Sequence, residues 1–113
     1  DTDLEKKIRL DAIENATKYA TEIPFKVMET SLQSMEIMQA MLKNGLKNSL
    51  SDAGVGVLCA RAAIIGAYFN VRINAKDIKD RDFANVILNK AATIYEKTIA
   101  LAQETISFID SQM

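Results

Sequence analysis

The sequence predicts an all-α protein, and three observations carry that prediction. Its 113 residues include 4 glycines and 1 proline, too few for the many turns that a β-sandwich or barrel requires. Apolar residues recur every three to four positions over long stretches, which is the period of one helix face. Hydrophobic residues make up 49% of the chain and charged residues 26%, a composition typical of folded domains. We therefore expect a single helical domain over residues 1–113.

The residue types that are absent or rare exclude several kinds of chemistry. There is no histidine, which removes histidine-based nucleophilic catalysis and histidine metal sites. Cys59 is the only cysteine, so neither an intrachain disulfide nor a multi-cysteine metal site is expected. Fourteen Lys and Arg residues against fifteen Asp and Glu residues give a net charge of -1. That balance argues against nucleic acid as a partner.

The first half of the chain predicts two helices separated at Pro24. The first begins at Thr2 or Asp3 as N-cap, and its apolar face comprises Leu4, Ile8, Ala12, Ala16 and Tyr19 or Ala20. Proline removes a helix donor and restricts the residue before it, so the first helix is expected to end or kink at this point. The second helix is expected to stop at Gly45, and its apolar face comprises Phe25, Met28, Leu32, Met35, Met38 and Leu42.

A third helix of a different kind is predicted over residues 53–69, capped by Ser51 or Asp52. Every position in it is apolar or small except Arg61, and a helix that is apolar on all sides is expected to be buried on all sides. A membrane span is the alternative. The stretch is short for a span, contains three glycines and has Arg61 near its middle, so we prefer a core helix in which Arg61 pairs with a carboxylate or a helix C-terminus.

The rest of the chain predicts a connector and a last helix. Residues 70–74 alternate polar and apolar and are interpreted as an extended connector or a helix end. A charged turn follows, with Asp80 or Asp82 as N-cap of a long amphipathic helix over residues 81–109. The predicted fold is an up-and-down bundle of four main helices around a buried central apolar helix. Three one-faced helices barely surround such a helix, so we expect missing helices or a second subunit to complete the bundle.

Two segments together resemble a known family. Residues 45–53 read Gly-Leu-Lys-Asn-Ser-Leu-Ser-Asp-Ala, and residues 66–74 read Gly-Ala-Tyr-Phe-Asn-Val-Arg-Ile-Asn. At this separation they resemble the formimidoyltetrahydrofolate cyclodeaminase / methenyltetrahydrofolate cyclohydrolase family, and the resemblance extends over residues 1–110. The family's Pro-Gly-Gly-Gly-Ser segment has no counterpart, so the chain resembles the C-terminal portion of such a domain. Leu46 stands where members often carry asparagine.

The resemblance implies an enzyme of folate one-carbon metabolism. The first expectation is conversion of 5-formimidoyltetrahydrofolate to 5,10-methenyltetrahydrofolate with release of ammonia. The alternatives are methenyltetrahydrofolate cyclohydrolase and a non-catalytic helical assembly module. It also implies a tetrahydrofolate derivative as ligand, no cofactor beyond that substrate, a homodimer or higher homo-oligomer, no membrane and a cytoplasmic location.

Asp52 and Ser51 are the candidate catalytic residues. Both reactions of the family pass through a tetrahedral carbon and a delocalised cation, which a carboxylate can stabilise while it moves protons. The alternative for Asp52 is a helix cap, a role that contributes about 1 kcal/mol.

Candidate substrate-binding residues lie at both ends of the apolar helix: Lys47, Asn48, Asn70, Arg72 and Asn74. Side-chain amides suit the donor–acceptor edge of a pterin, and an arginine can pair with a folate carboxylate. Alternatively, the asparagines bond to local backbone and the lysines are solvated. In an extended connector Asn70, Arg72 and Asn74 would share a face. We expect both ends of the helix to open onto one folate-sized pocket.

Overall fold

The computed structural model describes residues 2–45 and 47–113, apart from the side chain of Lys47. Over those residues it contains three long helices, α1 (Asp3–Lys43), α2 (Leu50–Ala75) and α3 (Arg81–Gln112), with one 3-10 turn at Lys47–Ser49 and no strand. Successive helices run antiparallel. The all-α prediction is confirmed. The prediction of four main helices was wrong, because the first two predicted helices form the single helix α1.

Pro24 lies inside α1 without ending it. A proline at this position cannot donate to the carbonyl of Ala20, four residues earlier. The side-chain amide of Asn74, at the end of α2, donates to that carbonyl at 3.0 Å. A donor from another helix therefore replaces the missing one, which allows α1 to continue through Pro24 over 41 residues.

The predicted extended connector is also helical, because α2 continues to Ala75. The chain then turns with backbone bonds from Asp77 to Asn74 and from Ile78 to Ala75, and the buried Ile78 fixes this turn against Ala84. Asp80 caps α3 by accepting from the amide of Phe83 at 3.1 Å. The predictions of Asp80 and, for α1, Thr2 as N-caps are confirmed.

The core lies along one side of each helix. Its largest fully buried side chains include Met28 and Met35 of α1 and Ile64 of α2. Small residues bring the helices close together: a methyl group added to Gly54 would lie 3.0 Å from Ile109. The apolar face predicted for the second helix is confirmed, since Met28, Leu32, Met35 and Leu42 are buried and Met38 is half-buried.

The opposite side of α1 and α2 is exposed, which corrects two predictions. α2 is not buried all round: Val55, Leu58, Phe69 and Ile73 are exposed, and so is Arg61. The face predicted for the first helix, including Leu4, Ile8 and Tyr19, is exposed as well. The physical reason is that α3 covers only one side of the α1–α2 pair. Arg61 therefore lies outside the core. The expectation that a buried Arg61 must pair with a carboxylate or a helix C-terminus no longer applies.

α2 is also long and apolar enough, by length and composition, to cross a membrane. Core helices of ordinary proteins pass the same test, so this property is weak evidence for a span.

Candidate functional site

Asp52 lies at the mouth of an apolar pocket at the start of α2. The pocket has a volume of about 230 Å³ and is lined by Met38, Met41, Leu42, Ser49, Asp52 and Ala53. α2 begins at Leu50, with Ser49 at the N-cap position and no cap bond from its side chain among the described residues. The prediction of Ser51 or Asp52 as the cap was therefore wrong, because the helix starts earlier than expected. Asp52 instead lies in the first turn, where the helix dipole favours a negative charge.

The lining of this pocket suits part of a flat, positively charged ligand. Thioether side chains such as Met38 and Met41 are polarisable and adapt to aromatic surfaces. The carboxylate of Asp52 supplies a negative charge beside that apolar floor. Ligand pockets for drug-sized molecules occupy about 300–1,000 Å³, so a pocket of about 230 Å³ holds only part of such a molecule.

The other candidates from the polar loop contribute less to the pocket. Ser51 and Asn48 are exposed, and neither lines the pocket around Asp52. The side chain of Lys47 lies outside the described residues, as does Leu46. Among the predicted site residues of the loop whose side chains are described, only Asp52 lines the pocket.

Asn70 and Asn74 line a second cavity, at the far end of α2. It is a groove of about 520 Å³ between α1 and α2, with Ile23 and Val27 on one side and Gly66 on the other. Asn70 is exposed at this groove, so its amide is accessible to a ligand. The amide of Asn74 is already engaged with the carbonyl of Ala20. Asn74 thus bonds to a backbone carbonyl, as the alternative to substrate binding proposed for the asparagines.

Arg72 points away from both asparagines, contrary to the prediction. Consecutive helical residues are about 100° apart, so Asn70 and Asn74 share a side of α2 whereas Arg72 lies roughly opposite. Its guanidinium carbon lies 5.4 Å from the ring centroid of Tyr68, in a cation–π contact. The shared face required an extended connector, which the structure does not have.

The two ends of α2 do not meet within one chain. Asp52 and Asn70 are both on this helix, and 18 residues at 1.5 Å per residue separate them by about 27 Å along its axis. The pocket at Asp52 and the groove at Asn70 have no lining residue in common. The expectation of a single pocket was wrong for an isolated chain.

A polar cluster that the sequence did not reveal fixes the turn after α2. The carboxylate of Glu14 accepts from the backbone amides of Lys79 at 2.9 Å and Asp80 at 2.8 Å. Lys18 donates to the carboxylate of Asp80 at 2.9 Å and lies 5.0 Å from the ring of Phe83. The four-residue spacing of Glu14 and Lys18 indicated that both side chains lie on one side of a helix. Nothing in the neighbouring sequence indicated their partners, which lie more than 60 residues away.

These contacts shift three pKa values. The backbone bond from Lys79, followed by that from Asp80, lowers the pKa of Glu14. The hydrogen bond between Lys18 and Asp80 raises the pKa of Lys18 and lowers that of Asp80. All three groups therefore favour their charged forms, and together they connect α1 to the turn between α2 and α3.

These features define an all-helical domain that presents a carboxylate beside an apolar pocket at the head of a long helix. Comparison with known sequences narrows this class. The profile of the formiminotransferase-cyclodeaminase family matches residues 1–93, and the chain belongs to that family.

Individual relatives agree with this assignment. Methenyltetrahydrofolate cyclohydrolase of Methylorubrum extorquens is 32% identical over 112 residues, which are 99% of this chain and 54% of the relative. Formimidoyltransferase-cyclodeaminase of Rattus norvegicus is 29% identical over 93 residues, or 82% of this chain and 17% of the relative. The Gallus gallus protein of that name is 34% identical over 79 residues, or 70% of this chain and 15% of the relative. The chain thus spans about half of the cyclohydrolase and about a sixth of the others.

Proposed function

We propose that this protein closes the one-carbon bridge of tetrahydrofolate, converting the 5-formimidoyl form to the 5,10-methenyl form with release of ammonia. The observation that carries the proposal is the family match over residues 1–93. The pocket at Asp52 supports it, because it combines an apolar floor with one carboxylate. The proposed reaction uses no cofactor beyond the folate.

In this reaction N10 attacks the carbon of the N5-formimino group. The formimino group reacts in its protonated form, N5–CH=NH2+: the new N10–carbon bond forms as the carbon–nitrogen π bond opens to an amine, the N10 proton is transferred to that amine, and the remaining carbon–nitrogen bond breaks, so that ammonia leaves and the positive charge stays on the methenyl product. The carboxylate of Asp52 is proposed to accept that proton and deliver it to the leaving nitrogen, and its charge stabilises the methenyl cation. Positioned general acid–base groups of this kind contribute about 10²–10⁴-fold to a rate.

A second candidate is the cyclohydrolase reaction, which the name of the Methylorubrum extorquens relative favours. Water adds to the methenyl carbon and loses one proton; the second proton then passes from the new hydroxyl to N5 as the bond from that carbon to N5 breaks and the formyl C=O of the 10-formyl form is made. Asp52 would act as the base that takes the proton from water. The same residue serves both reactions because both pass through a tetrahedral carbon beside a cation.

The remaining site residues take supporting roles in this proposal. Asn70, whose side chain is exposed, is proposed to bind the pterin edge, and Lys47, Asn48 and Arg72 to bind polar groups of the folate. Ser51 is proposed to assist Asp52. We place the protein in the cytoplasm as a homo-oligomer that acts without nucleic acid or a membrane.

The test follows the characteristic absorbance of 5,10-methenyltetrahydrofolate. With the 5-formimidoyl substrate the purified protein should raise it faster than the spontaneous reaction, and a cyclohydrolase should lower it when given the methenyl form. Asp52→Asn should lower either rate by about 10²-fold or more, while Asp11→Asn, at an exposed position on α1, should not. A folded protein that accelerates neither reaction would instead support the non-catalytic assembly module.

A further inference from the structure

A groove between α1 and α3, which we name the α1–α3 groove, is a cavity that the proposed reaction does not use. Its volume is about 430 Å³, within the roughly 300–1,000 Å³ of small-molecule sites. None of its lining residues lines the pocket at Asp52 or the groove at Asn70, so it is a separate candidate site. Its leucine, amide and charged side chains are Leu32, Glu36 and Gln39 of α1 and Lys97, Leu101 and Glu104 of α3.

Two ion pairs fix the register of α1 and α3 beside this groove. Lys43 donates to Glu104 at 3.1 Å across 61 residues of sequence, and the ion pair at the start of α3 spans 62. Nearly equal separations at two places mean that the two helices run parallel in one register. Seven residues before Lys43 and Glu104 stand Glu36 and Lys97, again 61 residues apart. Positions seven apart lie on nearly the same side of a helix, so Glu36 and Lys97 face each other across the groove, about 10 Å from the Lys43–Glu104 pair.

The two ends of the groove differ in how their charges are paired. At one end Lys43 and Glu104 neutralise each other. At the other end Glu36 and Lys97 are exposed, and no hydrogen bond or ion pair engages either side chain within the part of the chain that the structure describes. The groove thus presents a carboxylate on one wall and an ammonium group on the other, and both are accessible to a ligand between them.

The middle of the groove supplies apolar surface and an unsatisfied amide. Leu32, which is buried, and Leu101, which is half-buried, provide the apolar surface. Gln39 lies between the two charged ends, and its Nε2 is buried without a hydrogen-bond partner among residues 2–45 and 47–113. A buried N–H without an acceptor is unfavourable, and the terminal torsion of a glutamine side chain is broad. Rotation of this amide toward the groove would let it donate to an acceptor on a ligand.

We propose that the α1–α3 groove binds an α-amino acid with an apolar side chain, in its zwitterionic form. The ammonium group of the ligand donates to Glu36, and its carboxylate accepts from Lys97 and from the amide of Gln39, in charge-assisted bonds that are stronger than neutral ones. Its side chain packs on Leu32 and Leu101. A ligand with a single charge would leave either Glu36 or Lys97 unpaired, whereas a zwitterion pairs both. Because Glu36 and Lys97 lie at the same level, the two charges of the ligand must be close together, as they are on the α-carbon of an amino acid and not at the two ends of a peptide.

Binding of L-leucine tests the proposal, measured by chemical-shift titration of the purified protein in the absence of folate. The shifts should be saturable and should fit one molecule of leucine per chain. Three analogues each remove one feature of the ligand: glycine lacks the apolar side chain, 4-methylpentanoate lacks the ammonium group, and 3-methylbutylamine lacks the carboxylate. Each should bind at least about tenfold more weakly than leucine.

Two substitutions assign the charged contacts. Glu36→Gln should weaken leucine binding about tenfold and remove the advantage of leucine over 4-methylpentanoate, because the ammonium group then has no charged partner. Lys97→Gln should weaken binding similarly and remove the advantage over 3-methylbutylamine. The matched controls are Glu29→Gln and Lys90→Gln, at exposed positions seven residues earlier on the same helices. Neither residue lines the groove, so both variants should bind leucine as the wild type does. Far-ultraviolet circular dichroism verifies that each variant is folded.

Four results would overturn the proposal: a wild type without saturable shifts up to the solubility limit of leucine, binding that Glu36→Gln and Lys97→Gln leave unchanged, 4-methylpentanoate binding as tightly as leucine, or a control variant that weakens binding as much as Glu36→Gln. The outcome is independent of the proposed function, because neither folate nor turnover enters the measurement. A protein that binds leucine but accelerates neither folate reaction would keep this site and lose the proposed function.

Discussion

The hydrogen bond from Asn74 to the carbonyl of Ala20 offers a quantitative test of how α1 continues through Pro24. Removing the amide in Asn74→Ala leaves that carbonyl without the donor that Pro24 cannot supply. A neutral hydrogen bond contributes about 0.5–1.5 kcal/mol to stability, and a buried acceptor left unpaired costs about 1–3 kcal/mol. Since water can reach this bond, the lower range applies. We expect Asn74→Ala to reduce the free energy of unfolding by about 1 kcal/mol.

A second substitution separates this mechanism from a simple loss of side-chain contacts. Pro24→Ala restores a backbone N–H that can bond to the carbonyl of Ala20, and it removes a residue that costs about 3 kcal/mol in a helix interior. In that background the amide of Asn74 is redundant. Asn74→Ala should therefore cost close to nothing, giving a coupling energy of about 1 kcal/mol in the double-mutant cycle.

Urea denaturation followed by circular dichroism measures all four proteins of this cycle. Asn70→Ala is the matched control, one turn earlier on the same helix and exposed; it should change stability by less than about 0.5 kcal/mol in both backgrounds. If Asn74→Ala costs the same with and without Pro24, the replacement-donor explanation is refuted.

Other predictions concern pH and packing. The pKa values of Glu14 and Asp80 are lowered in the folded protein. Their charged carboxylates therefore contribute fully to folding stability above the unfolded pKa values of about 4.3 and 3.9. This contribution is lost as the pH falls through the folded pKa values. Acid titration of unfolding should therefore show a destabilisation that Glu14→Gln reduces, and an unchanged profile would contradict this. The pKa of Lys18 is raised in the folded protein. The charged Lys18 therefore contributes fully to folding stability below its unfolded pKa, and this contribution is lost as the pH rises through the folded pKa. Ile64→Ala, at a fully buried position, should cost about 2–5 kcal/mol. Leu58→Ala, at a half-exposed position, should cost clearly less than Ile64→Ala, and urea denaturation of both variants would show this.

The sequence predicted helix type and helix face wherever local chemistry decided them. The period of Met28, Leu32 and Met35 identified the buried face of α1 correctly. Asp80 was one of two candidate caps for α3, and its carboxylate does accept from the amide three residues ahead. Predicted helix boundaries were wrong where a contact with a residue distant in the sequence determines them. Pro24 predicted a helix end, and only the amide of Asn74, 50 residues later, keeps the helix intact.

The candidate site shows the same division between local and distant information. Asp52 was identified as a carboxylate at the head of an apolar helix, and it does line a pocket there. The sharing of one face by Asn70, Arg72 and Asn74 depended on an extended connector. The alternation over five residues could not distinguish that conformation from a helix end, because a short pattern fits both periods.

The apolar pattern of α2 explains why its burial was predicted incorrectly. A helix with large apolar side chains on every side is stable in water only if each side is covered, and α1 and α3 cover just one side, around Val57 and Ile64. The exposed side carries residues of the same type, Leu58 and Phe69 among them, at the same helical spacing. Burial of α2 on all sides therefore requires a neighbour in addition to α1 and α3.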